Sequence, residues 1–162
     1  MAISSYKVFL MAITTLGTGS TEPTWTKLVD IKDFPDLYPA PEALETTTLS
    51  NKSRTYIPGI QDGDAMTFTA NYTKDDFDKL VAADGLLCGY AVWFGGTEAN
   101  GAVTPTGTMG KFAFGGFLNP TVNGAGVNEV VEMTITITRT TDFGLDGTIE
   151  WGDQTPGAFP TT

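Results

Sequence analysis

The chain has 162 residues, no histidine and one cysteine, which removes most of the side chains that do chemistry near neutral pH. Imidazole bases, Ser-His-Asp triads and His-ligated zinc are excluded. Cys88 sits in the apolar run LLCGYAVWFGG (86–96) without a basic neighbour in sequence, so it reads as a small core residue. Asp75, Asp76 and Asp78 offer clustered carboxylates of the kind hydrolases use. Acids in the first turn of a helix also complement its dipole, and that is the simpler reading. GTMGK (107–111) has the outline of a phosphate loop, but that motif needs glycine at 105 and a hydroxyl at 112, where the chain has Pro105 and Phe112. QDGD (61–64) and DFGLD (142–146) lack the spacing of an EF-hand and read as turns. Trp25, Trp93 and Trp151 could stack on sugars, although Trp93 lies in the apolar run and reads as core. No residue is assigned a catalytic, cofactor-binding or metal-binding role.

Composition says what holds these residues. Charged residues are 17% of the chain, and the difference is made up by 27 threonines and 19 glycines. Threonine favours strands and glycine favours turns, so the balance leans all-β. The net charge of −10 disfavours nucleic-acid and anionic-membrane binding, which need clustered Lys and Arg. A single cysteine excludes an intrachain disulfide. The run Val8 to Ile13 is short for a signal-peptide core and reads as a first strand. No stretch approaches the roughly 20 apolar residues of a membrane span.

Strands appear as short alternating runs. TKLVDIKDF (26–34) precedes the Pro-rich PDLYPAPEAL (35–44), which cannot lie inside a sheet. In DAMTFTANY (64–72), Met66, Phe68 and Ala70 alternate with Thr67, Thr69 and Asn71. In EVVEMTITITRT (129–140), Val131, Met133, Ile135 and Ile137 alternate with Glu132, Thr134, Thr136 and Thr138. Between them TKDDFDKLVAADG reads as the one helix, with Thr73 as cap, Tyr72 and Phe77 as a hydrophobic staple, and Phe77, Leu80 and Val81 on the packing face. GTEANGAVTPTGTMG (96–110) reads as a Gly-Thr-rich loop, and the tail after 140 has Gly and Pro too often for a regular element.

Two strands with one apolar and one threonine face belong to a sheet covered on one side. The expected fold is mainly β: a β-sandwich or distorted barrel of about seven strands with one docked helix. The stretch ETTTLSNKSRTYIPG (45–59) fits no period, yet Leu49, Tyr56 and Ile57 invite burial beside Lys52 and Arg54.

TWTKLVDIKDFPDLYPAPEALETTTLSNKSRTYIPGIQDGDAMTFTANY, followed by the helix, YAVWFGG and VNEVVEMTITIT, resembles the major tail tube protein of long, non-contractile-tailed (siphovirus-type) phages of Gram-positive bacteria. The likeness runs from about residue 5 to 140, and LETTTL…YIPGI…FTANY is its most specific block. It implies a single tail tube domain: residues 1–25 as N-terminal arm and first strand, 35–63 as a long stacking loop, and 141–162 as a C-terminal arm, with no appended immunoglobulin-like domain. It also implies a virion component, assembled in the host cytoplasm into hexameric rings that stack around a tape-measure protein. Such a tube meets tail terminator and baseplate or distal tail proteins, and later conducts DNA without binding it specifically.

On that reading Leu49, Lys52, Arg54, Tyr56 and Ile57 contact the next ring. Thr67, Thr69, Asn71, Glu132, Thr134, Thr136 and Thr138 face a lumen that weakly repels DNA. No cofactor or membrane is involved. The inner tube of a phage-like bacteriocin or secretion device, and a carbohydrate-binding β-sandwich, are the competing readings.

Overall fold

The computed structural model describes residues 7–17, 21–38, 43–50, 52–58, 65–145 and 147–160. The strands are β1 (Val8–Thr15), β2 (Thr24–Val29), β3 (Ile31–Asp33), β4 (Ala43–Glu45), β5 (Tyr56–Pro58) and β6 (Met66–Asn71), then β7 (Leu87–Ala99), β8 (Ala102–Val122), β9 (Glu132–Arg139) and β10 (Gly144–Leu145). The helix α1 (Lys74–Ala82) lies between β6 and β7. The fold is mainly β with one helix, as composition and periodicity imply. The described residues form ten strands against the seven or so expected, because several are short.

Eight strands make one antiparallel sheet in the order β2-β1-β7-β8-β9-β6-β3, with β10 beside β8. TKLVDIKDF reads as one strand, but Asp30 divides it. Val29 pairs with Leu10 of β1 at one edge, and Ile31 pairs with Ala70 of β6 at the other. A chain that reaches both edges within three residues requires the sheet to roll up, so Phe34 meets Phe94 edge-on at 5.7 Å. The rolled interior holds Leu10, Phe68, Tyr90, Phe114, Ile135 and Ile137, all fully buried. Its inward face is supplied by alternate residues of each strand.

The helix begins as its sequence requires. The Thr73 hydroxyl accepts the Asp76 amide at 3.3 Å, and the Tyr72 and Phe77 rings stand 5.8 Å apart. It lies between β8 and β2: Asn119 donates to the Asp84 carboxylate, and Lys79 donates to the Leu28 carbonyl at 2.7 Å. Leu80 and Ala83 are buried and Phe77 packs on the core, while Val81 remains 46% exposed on the outer side. No helix among the described residues is long and apolar enough to cross a membrane.

Two further segments differ from the sequence reading. The Gly-Thr-rich stretch 96–110 is a continuation of β7 and β8, turning at Asn100 and Gly101, whose φ values of 53° and 79° are those of a hairpin turn. Its period is hidden by a bulge: Phe94 pairs with Gly110 but Gly96 with Pro105, so extra residues of β8 loop out. Pro105 is tolerated because this arm is only two strands wide.

The tail, expected as an arm, folds back. Phe159 is 2% exposed, its amide donates to the Ile13 carbonyl at 2.8 Å, and its ring meets Tyr90 at 6.2 Å. Earlier in the tail, Ile149 packs on a second apolar cluster of Phe9, Met11, Ala91, Trp93 and Ala113 on the outer face of the sheet. A Cβ at Gly115 would lie 2.2 Å from the Trp151 ring, so glycine there lets the indole lie on the strand. This outer cover is why β7 is apolar on both faces.

Candidate functional site

Two surfaces carry the residues singled out in the sequence. The first is the outer face of β6 and β9. In register, Thr67 stands opposite Thr136, Thr69 opposite Thr134, and Asn71 opposite Glu132. Directly opposed residues lie about 4.5–5.5 Å apart at Cβ, so these six form one patch. Thr138 extends it toward Phe117 of β8. The alternate residues Met66, Phe68, Ala70, Met133, Ile135 and Ile137 are buried beneath it, whereas Val131 lies just before β9 and is exposed.

Charge on this face is sparse and paired. Lys32 bridges to Glu132 at 2.7 Å, and the Asp33 carboxylate accepts the Thr69 amide at 3.0 Å. Thr134 donates to the Asn123 side-chain carbonyl at 3.0 Å. The face continues onto β8 through Asn119 and Thr121, opposite Thr136 and Thr134. These two are not singled out from the sequence; the alternation of Leu118 and Asn119 was the available signal.

The second surface is a hairpin within the stretch expected as a loop. Among the described residues, strands β4 and β5 pair only with each other, Leu44 opposite Ile57 and Glu45 opposite Tyr56. Thr46 donates its amide to the Thr55 carbonyl at 2.7 Å, and the two threonine hydroxyls meet at 2.9 Å. Arg54 lies 3.9 Å from Glu45. Every described residue from 43 to 58 is exposed, including Leu44, Leu49, Tyr56 and Ile57. A lone two-stranded hairpin is marginal in water, so this one has side chains to bury and nothing of its own sheet to bury them on.

The residues with chemical potential are placed as structural ones. Cys88 is fully buried, and burial pushes its thiol up; burial likewise drives the Tyr90 phenol far above its ordinary range. Lys111 lies 4.3 Å over the Trp93 ring, and Trp25 packs on Trp93 at 6.0 Å. Trp25, Lys111 and Trp151 border an open cavity of about 580 Å³. The GTMGK segment is part of β8. QDGD (61–64) and Asp146 lie outside the described residues. No metal-ligating group of three or more side chains occurs among the described residues.

The fold is shared with solved chains of low sequence identity. The chain aligns with one from an extracellular contractile injection system, in a structure of the PVC sheath/tube terminator in the extended state, with a TM-score of 0.61. That alignment covers 91% of this chain and 98% of the other at 10% identity. A chain from the six-fold symmetrised baseplate of the anti-feeding prophage aligns with a TM-score of 0.53, covering 91% and 97%, again at 10% identity. The sequence itself matches no family model and no curated protein.

Proposed function

We propose that the chain is a structural, non-enzymatic subunit of a phage-tail-like tube, assembling with copies of itself into rings that stack. The observation that carries this reading is the exposed β4–β5 hairpin, where Leu49 is fully exposed and Leu44, Tyr56 and Ile57 are each about half exposed in the monomer. Full burial yields about 1.5–3 kcal/mol for a fully exposed side chain such as Leu49 and roughly half that for the half-exposed ones, which repeated contacts in a stack would recover. Leu49, Lys52, Arg54, Tyr56 and Ile57 are the inter-ring contacts. The hydroxyl patch of Thr67, Thr69, Asn71, Glu132, Thr134, Thr136 and Thr138 lines the lumen, where a wall without free cations lets DNA slide.

Six subunits per ring accords with the six-fold baseplate from which one structural neighbour comes. The sequence likeness points to long non-contractile tails of phages of Gram-positive bacteria, with a tape-measure protein inside and terminator and distal tail proteins at the ends. One structural neighbour comes from a contractile injection system, which keeps the inner tube of a bacteriocin or secretion device as a close variant. A second reading is a ring that ends a tube, favoured by the neighbour in the sheath/tube terminator structure.

Sedimentation velocity over a concentration series separates these. A tube subunit passes from the 17.2 kDa monomer to rings and then to open-ended polymers. A terminator stops at one ring. A monomer at every concentration that binds glycans contradicts both.

A further inference from the structure

The stacking reading says that the hairpin is buried by another copy, but not where. At one end of the barrel the β8–β9 turn lies beside the start of α1, since the Tyr72 amide donates to the Val131 carbonyl at 3.0 Å. This end exposes side chains that an isolated domain gains nothing by exposing: Val127 is 91% and Val130 67% accessible. The charge around them is acidic. Glu129 lies between the two valines, and Asp75 is exposed in the first turn of α1; nearby Asp78 is already bridged by Lys74 at 2.6 Å.

The hairpin tip has the complementary character. Leu49 is fully exposed, and between Thr46 and Thr55 the chain carries Lys52 and Arg54 and no acid, with Arg54 in a long 3.9 Å pair with Glu45 at the foot of the hairpin. We infer that the hairpin tip of one copy seats on the β8–β9 turn and α1 start of a second copy. Leu49 packs on Val127 and Val130, and Lys52 and Arg54 face Asp75 and Glu129. The inference rests on the stacking reading and adds its address.

Two physical arguments favour a second copy over an unrelated partner. A chain of net charge −10 repels its own copies, and the hairpin delivers two of its nine cations to one projecting tip. Both halves of the contact are also present once in every chain. Such a heterologous contact repeats from copy to copy and builds a stack.

The test mixes two proteins, one carrying Leu49→Cys and the other Val127→Cys, both at exposed positions; Cys88 is buried and does not interfere. After assembly the mixture is oxidised with copper phenanthroline. The expected result is a covalent dimer of the mixed proteins and none from either alone. In a parallel arm, Lys52→Glu with Arg54→Glu raises the critical concentration for assembly at least tenfold, and Asp75→Lys in the same chain lowers it again. Well-formed assemblies without the mixed cross-link overturn the address and leave stacking intact. Absence of rescue by Asp75→Lys overturns the charge pairing. An unsubstituted chain that never assembles overturns the stacking reading itself, and the address with it.

Discussion

Val29 and Ile31 are two residues apart, yet they pair into opposite edges of one sheet, Val29 with Leu10 and Ile31 with Ala70. Only Asp30 separates them. The short connection ties the two edges together, so β2 and β3 act as one strap across the seam of the rolled sheet. Val29 is buried and Ile31 packs against the same core.

Inserting Gly-Gly after Asp30 slackens that strap. We expect a loss of about 1–3 kcal/mol in urea unfolding, with amides of both β2 and β3 losing hydrogen-exchange protection together. Unchanged protection on both strands would show that the seam holds without the tight connection.

Phe159 belongs to the interior although it stands near the end of the chain. Phe159→Ala leaves a cavity beside Tyr90, and the expected cost is about 3–5 kcal/mol. A loss below about 1 kcal/mol would mean that the tail rests on the sheet without contributing to its core.

Tyr90 links stability to alkaline pH. Its hydroxyl is buried, with the Cys88 thiol as its one polar neighbour among the described residues, and burial raises the phenol far above its ordinary value. The unfolded chain therefore releases this proton near pH 10 while the folded chain keeps it. Stability is full below that pH and falls above it by about 1.4 kcal/mol per pH unit. Cys88, raised in the same way, adds its own fall beginning near its lower unfolded value of about 8.5. Tyr90→Phe should be neutral or stabilising at pH 7, because it removes a buried hydroxyl whose one polar neighbour, the Cys88 thiol, is a weak hydrogen-bonding group. It should also flatten the alkaline fall to the cysteine's share. An unaltered slope in the variant would contradict the burial argument.

How far the sequence alone reached follows from what each element buries. Strands β6 and β9 and the helix were legible because each has one wet and one dry face, and their alternation or cap signals survive in the residue order. The hydroxyl patch followed, since Thr67 and Thr136 could only point away from Phe68 and Ile135. The outer arm of β7 and β8 was not legible: Gly96, Pro105 and Gly107 carry no apolar period, and a bulge shifts the register. The break at Asp30 was hidden because pairing partners, not local residues, decide it. The return of Phe159 to the core was hidden by the glycines and prolines around it, because its place is set by its own tertiary contacts with Ile13 and Tyr90.

Deleting residues 47–55 removes the exposed hairpin tip and, among the described residues, no buried side chain. We expect the unfolding midpoint to move little, because a surface loop contributes little to the core, and stacking to fail. Polymers of normal length from the deletion protein, seen by sedimentation, would remove the hairpin from the stacking contact.

Thr136→Lys places a cation at the centre of the hydroxyl patch, once in every subunit. The expected outcome is normal assembly with slowed DNA ejection, relieved by added salt as screening grows. A Thr136→Cys variant supplies the geometric check: thiol reagents too large for the channel should fail to label intact tubes. Free labelling along the tube wall would place the patch on the outside.

Negative-stain electron microscopy of the concentrated, purified protein tests the tube assignment most directly. The expected image is stacked rings with a stain-filled central channel, lengthening as concentration rises. Monodisperse single domains at every concentration, with neither rings nor tubes, would contradict it.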